Sequence, residues 1–213
     1  VTFRNTASSF RSLLVEADDG ITLNSNLKAT EGFMTLEAGK DIGTDGSSGI
    51  VFNNGLTVTS IEDLTLDANS NGISSTSTLT LESEEDINLN DALTISSELI
   101  LFADEDDSGA GDINVSGDLV SNNNIIRMNS ANIDLTNAID AGTEDIYLNT
   151  TDGRTVALGD AVGEYGLLAS ELELLTAKDL YIGNSFSGSI TVSGVTAANT
   201  EKISGIVNLT AMK

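Results

Sequence analysis

Apolar and polar residues alternate in short runs from one end of this chain to the other. In Leu79–Ser96, LTLESEEDINLNDALTIS, three such runs follow in succession, LTLES, INLN and LTIS, divided by the short acidic breaks EED and DA. Successive side chains of a strand point to opposite faces. Leu79 and Leu81 therefore share one side with Ile87, Leu89, Leu93 and Ile95, while Thr80, Asn88 and Thr94 take the other. Three strands with tight corners and one common inside make one rung of a parallel β-helix, and a repeat of that kind governs the fold wherever it occurs.

The pattern extends along the chain as LLVEA (13–17), ITLNS (21–25), MTLEA (34–38), IVFNN (50–54), LTVTS (56–60), LTLDA (64–68) and LILFA (99–103). It continues as INVSG (113–117), LVSN (119–122), IRMNS (126–130), IDLTN (133–137), IYLNT (146–150), VALGD (156–160), LELLTA (172–177), LYIGN (180–184), ITVSG (190–194) and IVNLTA (206–211). Leu and β-branched residues dominate these runs, as strands require. Asp19-Gly20, Asp45-Gly46, Asn54-Gly55, Asn71-Gly72 and Asp152-Gly153 supply the positive φ of tight corners. Such dipeptides also suit hairpins and a β-sandwich. The solenoid is preferred because similar strands return every 15 to 27 residues, often about 20, and end on a small residue, Ala38, Ala68, Ser83 or Ala103. The expected fold is all-β: a parallel β-helix (β-solenoid) of roughly 20 residues per rung, spanning 1–213 as a single domain. Leu36, Leu66, Leu81 and Leu101 are expected to stack inward on one face, with Thr35, Thr65 and Thr80 outward on equivalent strands. The stretches 39–49, 104–112 and 137–145 read as corner-loop insertions. In EYGLLASELELLTAK, Leu168, Leu172 and Leu175 also have helical spacing, so a short helix and a strand both fit there.

Two blocks carry a resemblance. GITLNSNLKATEGFMTLEAGKDI (20–42) resembles the repeats of filamentous haemagglutinin-type exoproteins, very large bacterial surface proteins, and LLASELELLTAKDLYIGNSFSGSITVSG (167–194) resembles another of their recurrent blocks. The resemblance implies the right-handed hand of the helix, export to the cell surface, and a part in adhesion, biofilm or filament formation, with glycans or a host or neighbouring cell surface as partners. The secretion domain of such proteins carries Asn-Pro motifs. This chain has no proline, so it is not that domain. No catalytic residue is carried across.

Composition narrows the chemistry. The 213 residues include no Cys, His, Pro or Trp, with 9 Lys and Arg against 33 Asp and Glu and a formal net charge of −24. That balance argues against a nucleic-acid partner. No apolar run is long enough for a membrane-spanning helix, so no membrane insertion is expected. The first residues, VTFRNTASSF, lack the regions of a signal peptide, so a secreted form would be processed or part of a longer chain. An alternative function is a carbohydrate-active β-helix enzyme, a polysaccharide lyase or hydrolase. Such a site would need a placed carboxylate pair and usually aromatic platforms. The chain offers only Tyr147, Tyr165 and Tyr181 beside its Phe residues, and no enzyme is expected.

The loop DEDDSGAGD is the best metal candidate. Asp104, Asp106, Asp107 and Asp112 offer hard oxygen ligands of the kind calcium takes, although the spacing is not that of an EF-hand. A solvated acidic loop accounts for the same residues. Finally, the strand-like termini, with Val1 and Phe3 on one face and Val207 and Leu209 on another, suggest open terminal rungs. Either a fragment of a longer solenoid or a subunit pairing head to tail into a homopolymer fits that pattern.

Overall fold

A computed structural model of the chain describes residues 1–39 and 49–212. The described strands pair in parallel and stack into the three walls of a β-solenoid. The first wall holds Thr2–Phe3, Ile21–Leu23, Ile50–Phe52, Ile73–Ser75, Leu93–Ile95, Leu119–Val120, Ile139–Asp140 and Leu175–Thr176. The second holds Ser8–Phe10, Leu27–Ala29, Leu56–Ser60, Leu79–Ser83, Leu99–Phe102, Ile126–Ser130, Ile146–Thr150, Leu180–Ile182 and Val207–Leu209. The third begins as Leu13–Ala17, Met34–Ala38, Leu64–Asp67, Ile87–Leu89, Asp112–Val115 and Asn132–Leu135. Parallel neighbours need a long crossover, and here each crossover is formed by the strands of the other two walls.

Local alternation builds the core directly. Every five-residue strand of the second and third walls from Met34 onward shows the same burial, inward at positions one, three and five. Leu79, Leu81, Ile87, Leu89, Leu93 and Ile95 are all buried inside one rung, as the alternation of Leu79–Ser96 requires. Each lies about 4.8 Å along the axis from its counterpart on the next rung. At the end of the second-wall strands the inward position is small: Ser60, Ser83, Ala103, Ser130 and Thr150. Here the chain turns and a large side chain has no room. The Ser83 hydroxyl donates to the Glu62 carbonyl at 2.7 Å and that of Ser60 does so at 2.6 Å, which satisfies polar groups within the corner.

Between Leu56 and Ile146 the rung length varies within the expected 15 to 27 residues. In the second wall Leu56, Leu79, Leu99, Ile126 and Ile146 are successive partners, spaced 23, 20, 27 and 20 apart. The 27-residue step contains 104–112, which is an insertion as expected. The stretch 137–145 is not an insertion: Ile139–Asp140 is a first-wall strand paired on both sides. Residues 40–48 of the first expected insertion lie outside the described residues, as does Asp45-Gly46. At Gly72 the corner reading holds, with φ of 66° and an ideal Cβ that would come 2.9 Å from the Ala92 carbonyl oxygen.

Two column assignments are corrected. Leu36 pairs with Leu66 in the third wall, whereas Leu81 pairs with Leu101 in the second. These are two columns rather than one, though all four leucines are fully buried. Likewise Thr35 and Thr65 are partners, but Thr80 pairs with Thr57 and Ile100. MTLEA and LTLES are alike locally, and alternation cannot say which wall a strand joins.

The regular plan breaks once. Beyond Asn132–Leu135 the third wall continues as a separate three-stranded sheet, ordered Tyr165–Leu167, Val156–Gly159, Ile190–Ser193. Tyr165–Leu167 packs against Asn132–Leu135 without a backbone ladder. Side chains join the two instead. The Asn132 side-chain oxygen accepts from Gly166 N–H at 2.8 Å. The nearly buried Glu171 carboxylate accepts from Leu135 N–H at 2.9 Å and Leu168 N–H at 2.6 Å. The helical spacing nearby yields one turn, Ala169–Leu172. Leu172 is buried on it, but Leu168 is exposed and Leu175 belongs to a first-wall strand.

Candidate ligand-binding face on the second wall

The outward residues of the second wall form columns that the corners alone bring together. One runs Ile100, Arg127, Tyr147, Tyr181, Asn208, and beside it runs Phe102, Asn129, Asn149. The Tyr147 and Tyr181 rings are 4.6 Å apart between centroids and 6° from parallel. Rings so close lie face to face along the axis, and the Tyr147 hydroxyl donates to the Asp145 carboxylate at 3.4 Å. The Arg127 guanidinium covers the far side of Tyr147, 4.2 Å from the centroid, and its Nε donates to Glu98 at 2.8 Å. Stacking and cation–π contacts of this kind contribute roughly 0.5–1.5 kcal/mol each. The faces of these rings are thus largely spent on one another, and the column strengthens the wall.

Tyr165, the third tyrosine, has a different place. It is a fully buried core side chain, and burial, with the Glu171 charge as a lesser cause, pushes its phenol far above the usual range. Sequence reading had no means of pairing Tyr147 with Tyr181. They are 34 residues apart because the detour through 156–167 intervenes between their rungs.

At the edge of the same wall lies an open cleft of about 640 Å³. Phe102 and Asn129 line it from the wall. The turn Thr150–Gly153, the insertion through Asp107, and Asn184, Phe186 and Met212 complete the lining. These loops are knit together. Asn184 Oδ1 accepts from the backbone N–H of Phe186 at 2.8 Å and of Ser187 at 3.0 Å, while its Nδ2 donates to the Thr150 carbonyl at 2.9 Å. Ser187, fully buried, lies 3.0 Å from the Thr150 hydroxyl, and its carbonyl accepts from Met212 N–H at 2.8 Å.

The four aspartates singled out from the sequence go to different places. Asp104 is fully buried with φ of 61° and acts as the loop's internal acceptor. Its Oδ1 takes the Ser108 hydroxyl at 3.1 Å and Gly109 N–H at 2.7 Å, and its Oδ2 takes the Thr151 hydroxyl. Asp106 accepts from Ser108 N–H at 3.1 Å within its own turn. Asp107 lines the cleft. Asp112 opens a third-wall strand, where burial first, and then Asp86, raises its carboxyl above the ordinary range. Among the described residues no three carboxylates form a group that could hold a metal ion. The Arg154 side chain secures the insertion from behind by donating to the Gly109 carbonyl.

The architecture places the protein in the class of parallel β-solenoids. Comparison of the chain with family models, curated proteins and solved structures finds no match. Among the described residues no helix is long and apolar enough to cross a membrane.

Proposed function

We propose that the protein is a non-enzymatic, extracellular structural element, a β-solenoid scaffold or adhesin that assembles end to end into surface filaments or matrix. The observation that carries this reading is the last described strand. Leu180 and Ile182 are fully buried, yet their partners on the next rung, Val207 and Leu209, are 38% and 42% exposed. A further rung, from a second copy or from more of the same polypeptide, would bury these side chains and pair the open strand edge. At the opposite end Phe10 is 39% exposed, although its partner on the next rung, Ala29, is fully buried. A contact joining one end to the other is heterologous and propagates instead of closing. The haemagglutinin-type resemblance points to the same use, with glycans or a neighbouring cell surface as what the long walls meet.

Light scattering and electron microscopy of the purified chain across concentration test the assembly. Rods that lengthen with concentration are expected, and Val207→Lys with Leu209→Lys should suppress them. A particle of one chain's mass at every concentration would overturn the filament reading. Incubation with neutral and acidic polysaccharides tests the non-enzymatic part, which fails if chains are cleaved and one carboxylate substitution abolishes the cleavage.

A further inference from the structure

We infer that the cleft between Phe102 and Phe186 binds an organic cation, an ammonium or guanidinium group carried on an apolar stem. This rests on the cleft alone and stands whether or not the chain polymerises. Phe186 is 72% exposed although the Asn184 side chain fixes the backbone on which it stands. The Phe186 ring thus stands at a fixed place at the cleft, with exposed Met212 also in the lining. Together with Phe102 it lines a cleft whose volume lies within the range of small-molecule sites, about 300–1,000 Å³.

The polar lining selects the charge of the ligand. The Asn184 amide, the Thr151 hydroxyl and the Thr150 hydroxyl are already engaged with protein groups. Asn129 accepts from Asn149 at 2.9 Å. What is left to receive a ligand is acceptor-rich, chiefly the carboxylates of Asp107 and Asp152. None of the described lining residues is basic; the Arg154 guanidinium, which donates to the Gly109 carbonyl, and the Asp152 carboxylate both stand beside Gly109, so Asp107 carries the less compensated charge of the two. A chain of net charge −24 concentrates cations at such a concavity and repels anions. Aromatic faces beside carboxylates are a recognised cradle for ammonium groups. A neutral sugar would use the rings but not the charge.

Titration of the full chain with benzyltrimethylammonium, followed by amide NMR shifts at constant ionic strength, tests this. Shifts should centre on Thr151, Gly153, Asn184 and Phe186, and benzyl alcohol and maltose should bind at least about tenfold more weakly. Phe186→Ala, and separately Asp107→Asn with Asp152→Asn, should each weaken the cation about tenfold. Asp107 and Asp152 have φ of 55° and 47°, a conformation that asparagine tolerates, so the paired substitution preserves the fold. The remote variant Asp134→Asn should leave affinity unchanged. Equal or tighter binding of either neutral compound would overturn the inference. So would an affinity unchanged in Phe186→Ala or in the paired variant, which would mean a cation spread over the acidic surface.

Discussion

Replacing Leu81 with alanine should destabilise the protein by about 2–5 kcal/mol, the range for a fully buried leucine whose surroundings cannot collapse. Leu81 is 0% exposed and sits between Val58 and Leu101 in the second wall. Ladder hydrogen bonds on both sides hold those neighbours at the rung spacing, so the void stays open. The transfer cost of the lost carbons alone is about 0.8 kcal/mol for each buried methylene equivalent. Thr80→Ala, one position away, faces outward between Thr57 and Ile100 and should cost about 1 kcal/mol or less, the span of strand preference. Denaturant midpoints by far-UV circular dichroism measure both, with the slopes compared because solenoids can lose cooperativity. Equal effects would refute the inside–outside assignment. A double-mutant cycle tests the two-column correction. Leu81→Ala should couple to Leu101→Ala by about 0.5 kcal/mol or more and add independently to Leu36→Ala, which lies in the third wall two rungs away. Coupling of Leu81 to Leu36 of the same size would put them in one column after all.

Glu171→Ala should cost roughly 2–4 kcal/mol in the same assay, because it leaves the Leu135 and Leu168 N–H groups without their acceptor, while Glu171→Gln should cost less; equal costs would show that packing, not acceptance, is what Glu171 supplies. Glu85, Glu105 and Asp112 have pKa values raised first by burial and then by neighbouring carboxylates. A raised carboxyl contributes stability that is fully present below its unfolded pKa and lost as pH rises through its folded pKa. The melting temperature should therefore rise as pH falls from 7 towards about 4.5, and Glu85→Gln should flatten the profile; a profile that falls over that window would contradict the assignment. The hydrogen-bonded Asp179 and Glu164, with lowered pKa values, act in the opposite sense only at lower pH. Sodium chloride, and calcium at lower concentration, should raise the melting temperature at pH 7 by screening the same repulsion, and no change with either salt would remove that argument. Asp104→Ala should speed amide exchange at Gly109, whose N–H it accepts, without unfolding the walls; unchanged exchange there would mean that the loop is held by its other contacts.

Alternation is a property of the strand itself, and so the sequence alone determined which residues face inward. LLVEA, MTLEA, LTVTS, LTLES, IRMNS and IYLNT coincide with strands to the residue. Strands with little alternation escaped it, such as Ser8–Phe10, Ile73–Ser75 and Ile139–Asp140, because the partners on adjacent rungs supply their order. Wall membership also lay beyond it. A period of two separates inside from outside but carries no label among three walls, and unequal corner loops set the register between rungs. For that reason the leucine column divided in two and Tyr147 met Tyr181 across 34 residues. The cleft depended on the same non-local geometry. The lone Phe186 within the polar turn NSFSG was a legible signal of an exposed aromatic. Its position opposite Phe102, beside Asp107 and Asp152, exists only because three loops from different rungs converge at one edge of the second wall.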